Sequence, residues 1–542
     1  MTTRENSAPV LIVGAGPVGL TLAIDLAQRG VPCTIIERRS APLFLPKMDR
    51  TNARSMEIYR RLGLAEKIRA ASYPATANFN VHLVTSLAEE PLLTLEYPSV
   101  DDYRKKISVC RDGSLPLEPY QIVSQYTLEP LLLAEAQALK DVDVRMETEL
   151  IGLEQDARGV TAKLREADGT QMEFRSEYAI GTDGGRSAVR KALGIRLEGD
   201  GNISERFQIF MRSPNVFALS PTGQARMFYY AHEDRVSMTV QDDLEHFNFS
   251  ISRPLGSGES IRKYVIDTVG LPIDVEIIAT TKWTMHLLVA ERYRSGRAFI
   301  AGDAAHLVIP SGGLGLNTGI GDATDLAWKL AATLDHWGGP DLLDSYEAER
   351  RPVGLRNREA SRYASTGQRT WRDVVGPMIR DDTPEGRGTR RAVARLASVE
   401  QRKTHEMAGT ELGYRYEHSP IICHEPEPWP PDVREVYIPT SRPGARLPHM
   451  WTRDGRAIQD VLGRWFTLLI LDGQAQDAMR LSAAMRDRGA PLDVVVLDEP
   501  EIRTLYGASV LLVRPDLHVA WRGDGVPEDV WRVAAVALGQ AG

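Results

Sequence analysis

Two glycine-rich constellations carry residue types and spacings suited to chemistry. In the first, Gly14-Ala15-Gly16-Pro17-Val18-Gly19 follows an apolar run at 10–13 and opens a helix-like stretch at 17–29, and Glu37 closes the next apolar run at 33–37. Glycines so placed allow a tight turn, a close backbone approach to a pyrophosphate and tight helix packing, while the helix N-terminus faces the negative charge. The glycine pattern alone is weak; the strand, helix and acid around it make it a dinucleotide site. No second such unit occurs, so one tightly held dinucleotide is expected, without a dedicated nicotinamide domain. In the second constellation, Gly302-Asp303-Ala304-Ala305-His306 precedes Pro310-Ser311-Gly312-Gly313-Leu314-Gly315-Leu316-Asn317-Thr318-Gly319. A carboxylate at a strand end can accept hydrogen bonds from sugar-like hydroxyls, and glycines before a helix expose N–H groups to a developing anion. Taken alone, such a loop is more often a capped helix than a site.

The elements that position these groups alternate in type. The first 37 residues read as a βαβ unit. Short alternating runs over 144–174 suggest hairpins, and 178–182 a strand returning to the first sheet, so the dinucleotide domain is discontinuous. Aromatic β-patterned runs such as 227–230 and 247–249 indicate a sheet-rich insertion. A strand at 298–301 and helices at 320–334 and from 342 then return to the cofactor unit. The charged stretch 373–405 reads as a solvated helix and linker, and the proline-rich 424–431 as a boundary. Strands at 466–471, 492–497, 509–513 and 518–521 alternate with helices at 475–488 and 528–538 in a last α/β unit. The expected fold is α/β: a Rossmann-type domain (1–185 and, with long helices, 286–395), an inserted β-rich substrate domain (186–285), a linker (396–430) and a C-terminal α/β domain (431–542).

Composition narrows the function classes. With 43% apolar and 25% charged residues and a net charge of -8, the chain has the make-up of a soluble globular protein without a nucleic-acid footprint. No apolar run approaches a membrane span, and no export signal opens the sequence. The three cysteines, Cys33, Cys110 and Cys423, show neither CxxC nor metal-ligand spacing. A cytoplasmic protein without disulfides or metal is expected.

Taken together, the fingerprint with Glu37-Arg38, the block Gly181-Thr182-Asp183-Gly184-Gly185-Arg186-Ser187-Ala188-Val189-Arg190 and the block from Gly302 onward resemble the single-component FAD-dependent aromatic hydroxylases, the group of para-hydroxybenzoate hydroxylase and phenol hydroxylase. Arg442-Pro443-Gly444 and the stretch from Leu512 to Arg522 resemble the thioredoxin-like C-terminal domain of the phenol hydroxylase branch. The resemblance implies FAD as cofactor, NADPH or NADH and O₂ as co-substrates, a small aromatic substrate hydroxylated through a flavin C4a-hydroperoxide, and a homodimer. It places Glu37 on the adenosine ribose, Arg38 near the adenine, Arg54 and Gln125 beside FAD, Asp303 on the ribityl chain, and Asp183 in a motif serving both FAD and NAD(P)H. Pro310 falls beside the flavin ring, and Gly315, Leu316 and Asn317 at the helix start facing the flavin N1/C2 edge. Asp49, five residues before Arg54, matches the position of an active-site aspartate and is the candidate general base, although a salt-bridged loop aspartate fits the sequence equally well. Tyr230, Trp283 and His286 are candidates to line the substrate pocket, with core packing the competing reading. Lys47 stands where relatives carry arginine, Ile309 replaces a proline and Asp325 an asparagine. Without a cysteine in the C-terminal domain, thioredoxin-like redox chemistry is excluded there. The same blocks would serve Baeyer–Villiger oxidation or epoxidation of a polyketide, an NAD(P)H oxidase, or an FAD-containing protein that sequesters an aromatic ligand.

Overall fold

A computed structural model describes residues 6–254, 256–472 and 478–541. β1 (Ser7–Val13) is buried from Val10 onward and leads through the glycine turn into α1 (Pro17–Gln28). Pro17 takes the first helical turn, where its missing N–H has no acceptor to lose. β2 (Cys33–Ile36), buried throughout, pairs parallel with β1. The chain next forms α2 (Ala53–Arg61), β3 (Val81–Val84), β4 (Leu93–Leu95), α3 (Gln125–Gln137) and β5 (Val142–Arg145). β6 (Glu149–Asp156), β7 (Gly159–Arg165) and β8 (Gln171–Gly181) make an antiparallel meander.

β8 merges what the sequence suggests are a hairpin arm and a separate returning strand. Its first half alternates in exposure and pairs with β7, whereas Tyr178–Gly181 is continuously buried and pairs with β1. Alternation marks a half-covered sheet, and a continuous apolar run marks a strand covered on both faces. The parallel core of this sheet runs β5–β2–β1–β8 and continues to a strand at Ala298–Ile300.

After α4 (Ala188–Ala192), a second sheet is built from β9 (Leu197–Arg212), β10 (Met227–Tyr230), β11 (Ser237–Val240), β12 (His246–Ile251) and, beyond α5 (Gly258–Val269), β13 (Glu276–Ala290). The domain limits read from sequence need correction here. β3 pairs parallel with β10 (Val81 opposite Met227), so β3 and β4 extend the second sheet although they lie within 1–185. These runs are too short to declare a partner from sequence, and their burial comes from cross-sheet pairing. β13 likewise runs past position 285 to Ala290, where it pairs beside His306 and Leu307.

α6 (Leu314–Leu334), α7 (Pro340–Arg372) and α8 (Pro384–Glu400) follow. The expected linker 396–430 is instead a packed wall: Met407, Leu412, Tyr414, Tyr416 and Ile421 are buried against the rest of the molecule. The C-terminal unit holds β14 (Phe466–Ile470), α9 (Met479–Asp487), β15 (Leu492–Val496), α10 (Pro500–Tyr506), β16 (Val510–Val513), β17 (Val519–Gly523) and α11 (Val530–Ala537). The expected helix at 475–488 thus begins in part outside the described residues. The sheet order β15–β14–β16–β17, with only β14 and β15 parallel, is the thioredoxin-like arrangement. Its core is continuous with that of the first domain, because Trp328 of α6 meets Phe466 edge-on at 5.7 Å. Among the described residues no helix is long and apolar enough to cross a membrane.

Candidate active site

The first glycine turn is held by sterics. Gly14 sits at φ 108, and a Cβ there would lie 2.7 Å from the Thr182 carbonyl oxygen. A Cβ on Gly19 would lie 2.1 Å from the Gly14 oxygen. Thr182 donates its hydroxyl to the carbonyls of Val13 (3.0 Å) and Gly14 (2.8 Å), tying the second motif to the first. Gly16 differs: nothing lies within 4 Å of its would-be Cβ, so the turn keeps a cradle of open space at the N-terminus of α1, where a diphosphate fits.

Glu37 accepts from the Ala15 amide at 3.2 Å and from the Arg39 amide and Nε at 3.0 and 2.9 Å. Burial opposes its ionisation, but the hydrogen bonds and charge of Arg39 prevail and hold the carboxyl below its usual range. Arg39 continues to Glu129 (3.1 Å), which accepts from Gln125 at 2.7 Å. Glu37 and Gln125 therefore belong to one polar chain, and the buried Arg39 Nη1 in it has no hydrogen-bond partner. Arg39 is the arginine that grips Glu37, while Arg38, singled out from the sequence, is exposed. In extended backbone residues i and i+2 share a side, which puts Arg39 beside Glu37 and turns Arg38 outward.

Asp183 accepts from the Ala188 and Val189 amides, at 2.5 and 3.3 Å, at the start of α4, leaving its buried Oδ1 without a partner. Burial raises this carboxyl above its usual value against those donors. Asp303 presents an exposed side chain in the loop after the strand at Ala298–Ile300. The loop carrying Asp303 is anchored from behind: buried Asp322 accepts from the Gly302 amide (3.1 Å), His306 Nε2 (2.9 Å) and Arg350 Nε (2.8 Å).

Gly312 and Gly313, at φ 88 and 64, turn the chain into α6, and the Gly313 amide closes on the Pro310 carbonyl at 2.9 Å. Pro310 is exposed beside this turn. Gly315 and Leu316 lie in the first turn of α6, where helix amides lack intrahelical acceptors and carry the positive end of the dipole. The Asn317 side chain accepts from the Asn52 amide (2.9 Å) and donates to the Arg50 (3.0 Å) and Gly313 (2.6 Å) carbonyls, fixing the N-termini of α6 and α2 to each other.

Asp49 faces the second sheet. Its Oδ2 accepts from Arg226 Nη2 at 2.6 Å, and a third of the side chain stays exposed. Arg226 lies just before β10, and its buried Nε and Nη1 have no partners. The main chain at 48–49 is knitted to the entry of α3 through Gln125 N to Met48 O (3.0 Å) and Val123 N to Asp49 O (3.1 Å). Nearby, Arg50 pairs with Glu411 at 2.7 Å and lies over the Tyr120 ring. His405 contacts the rings of Tyr97 and Tyr229, and burial with the cations Arg50 and Arg226 pushes its pKa down to about 3.

Other expected residues lie elsewhere. Tyr230 is fully buried in the core of the second sheet, against Phe249, because strand alternation turns it to the opposite side from Tyr229. Arg54 does not join the Glu37–Gln125 chain; at the start of α2 it donates to the Tyr414 hydroxyl (3.2 Å) and to the Asp516 carbonyl of the C-terminal domain (2.6 Å). Trp283 and His286 sit on the β9–β13 ribbon, where His286 Nδ1 accepts from the Asn202 amide at 3.2 Å within a register shift. Arg226 and the 402–416 wall were missed in sequence because their partners are far away along the chain. Arg39 was missed as well, although its i+2 spacing from Glu37 could have found it. Asp325, Glu349 and Asp516 converge within 4.8 Å, but Lys329 and Arg514 bind them, so the cluster is an ion-pair network rather than a cation site.

Comparisons agree with this arrangement. An FAD-binding domain family matches residues 7–361, and an aromatic-ring hydroxylase C-terminal family matches 440–541. An FAD-dependent monooxygenase of Emericella nidulans is 33% identical over 99% of this chain and 91% of its own. A 4-methyl-5-nitrocatechol 5-monooxygenase of Burkholderia sp is 32% identical over 97% of this chain and 96% of its own. The structure of the flavin-dependent monooxygenase PieE in complex with FAD and substrate superposes with a TM-score of 0.88 at 30% identity, covering 98% of this chain and 99% of that one. The open cradle at Gly16, the orphaned Arg39 and Asp183 atoms and the half-buried Gly315 and Leu316 in the first turn of α6 all suit FAD. The chain accordingly belongs to the FAD-dependent aromatic-ring hydroxylase family and is an FAD-dependent monooxygenase.

Proposed function

We propose that the enzyme hydroxylates a phenolic aromatic substrate with NAD(P)H and O₂. The observation that carries this reading is the Asp49–Arg226 pair, formed where the cofactor-binding segment meets the substrate sheet. Arg226 holds one carboxylate oxygen, leaving Oδ1 to accept a phenolic proton. A ring made more electron-rich by losing that proton is a better nucleophile. Bound FAD would supply the redox chemistry: reduced by NAD(P)H, it would activate O₂, the oxidant, whose one atom goes to the ring and the other to water. Around it, Glu37 and Gln125 anchor the adenosine half and Asp303 takes the ribityl hydroxyls. The first-turn amides of Gly315 and Leu316 stabilise negative charge at the isoalloxazine edge. Pro310 stands beside the reacting face, and buried Met407 backs its loop, packing so closely on Gly312 that a Cβ there would lie 2.5 Å from its sulfur. The catechol substrate in the name of the Burkholderia relative supports a phenol.

The test is NAD(P)H oxidation across a panel of monocyclic and polycyclic phenols, with mass spectrometry of products and a peroxide assay. A phenol that raises the rate and gains one oxygen atom on the ring supports the reading, and peroxide without product in every case opposes it. With that phenol, Asp49→Ala should retain FAD and lose about 100-fold in hydroxylation rate. Unchanged turnover across pH removes Asp49 from the role of base.

A further inference from the structure

Away from the flavin cleft, the C-terminal end of α1 and the outer side of α2 face the C-terminal domain across a cavity of about 280 Å³. Five arginines line it: Arg29, Arg54, Arg60, Arg61 and Arg464. Two are balanced, since Arg29 pairs with Asp25 at 2.9 Å and Arg60 with Asp460 at 2.6 Å. Arg61 donates only to carbonyl oxygens, those of Gln459 (3.4 Å) and Gly463 (2.6 Å). Arg464 donates to the main-chain and side-chain oxygens of Gln28, at 2.7 and 3.0 Å. Among the described residues neither has a carboxylate within ion-pair distance.

A separate observation points to a ligand. Arg54 is only 4% exposed, and its Nη1 has no hydrogen-bond partner. The nearest carboxylate oxygen, of Glu57, is 3.6 Å away and is already claimed by Arg446. Burial and the neighbouring Arg29, Arg54 and Arg464 push Arg61 down to about 10, against the pull of Asp25 alone. Arg29, Arg54 and Arg60 each keep a carboxylate in ion-pair range, whereas Arg61 and Arg464 do not; crowded guanidinium groups short of counter-charge are unfavourable, and their forked donors match a tetrahedral oxyanion.

We propose that this cavity is a phosphate-binding site, taking free phosphate or the phosphate of a small monoester, and that the bound anion bridges Arg54 and Arg61 of the first domain to Arg464 of the C-terminal domain. The volume exceeds that of a phosphate ion, leaving room for an ester group, and exposed Arg464 stands at the mouth. The site lies apart from the monooxygenase centre and involves no chemical step.

The test is calorimetric titration of the FAD-loaded enzyme with inorganic phosphate, in phosphate-free buffer at ionic strength fixed with KCl, followed by thermal unfolding at saturation. Saturable one-site binding and a raised melting temperature are expected, with affinity weakened about tenfold or more in Arg61→Gln and in Arg464→Gln. Arg464 is exposed, so its variant folds even if the Arg61 variant does not. AMP in place of phosphate distinguishes the sources: tighter AMP binding assigns an ester ligand, equal or weaker binding the free ion. No saturable phosphate heat in the wild-type enzyme, or affinity unchanged in the Arg464 variant, overturns the proposal.

Discussion

Glu37 is gripped from two directions, by the Ala15 amide of the glycine turn and by Arg39, which fixes its carboxylate where ribose hydroxyls would donate. Removing the charge while keeping the shape should cost about 1.5–3 kcal/mol of binding, or roughly 10- to 150-fold in FAD affinity. Fluorescence of FAD released from Glu37→Gln measures this, and an unchanged dissociation constant would refute the assignment. The carboxyl is held below its ordinary 4.5, so the Glu37–Arg39 contact stabilises the fold fully above that pH and loses its contribution as pH falls through the depressed value. Asp322 follows the same sign: burial opposes its ionisation, but Arg350 and His306 prevail and depress it. Asp322→Asn leaves Arg350 buried without its counter-charge and should lower stability by about 3–5 kcal/mol, read as a lower melting temperature of the FAD-loaded protein. A melting temperature equal to wild type would show that the Asp303 loop needs no such anchor. Glu37 and Asp303 were legible because local spacing places them at strand ends. Arg226 was not, since its pairing with Asp49 spans 177 positions and depends on the sheet between them.

Among the elements, the glycine turn separates folding from cofactor binding. Gly16→Ala meets nothing in the protein, so the apoprotein should melt as wild type while FAD occupancy falls, because the new methyl fills the diphosphate cradle. Gly19→Ala drives a Cβ into the Gly14 carbonyl and should destabilise the apoprotein itself, by about 1–3 kcal/mol. Melting both apoproteins and measuring their flavin content tests the distinction; similar losses of stability would remove it. The βαβ unit, the returning strand and α6 were readable from periodicity and glycine placement. β3, β4 and the 402–416 wall were not: two are strands of four and three residues, and the wall is charged in sequence yet buried through Met407, Tyr414 and Tyr416.

At the scale of the whole molecule, buried charges join the C-terminal domain to the flavin domain. Arg514 reaches Glu349 of α7 at 2.5 Å and Asp325 of α6 at 3.1 Å, Lys329 joins the same carboxylates, and Arg446 pairs with Glu57 of α2. Three carboxylates, Asp325, Glu349 and Asp516, face the two cations Lys329 and Arg514, and burial raises Asp325 well above its usual value, favouring its protonated form. That contribution is complete at low pH and is lost as pH rises through the raised value. Arg514→Met should therefore cost about 3–5 kcal/mol, and the change should resist added salt because the cluster is shielded from solvent. Thermal unfolding with and without 0.5 M KCl checks both; a loss erased by salt would place the cluster at the surface. The interwoven second sheet has a consequence for recombination. Its last two strands, β3 and β4, come from residues 81–95, while its other strands come from beyond residue 196. If this sheet recognises the substrate, as proposed, that unit is not a cassette that can be lifted out at two cut points. A chimera that exchanges only the later segment would force one parent's β10 to zip against the other's β3, so transplanting selectivity requires moving both segments together.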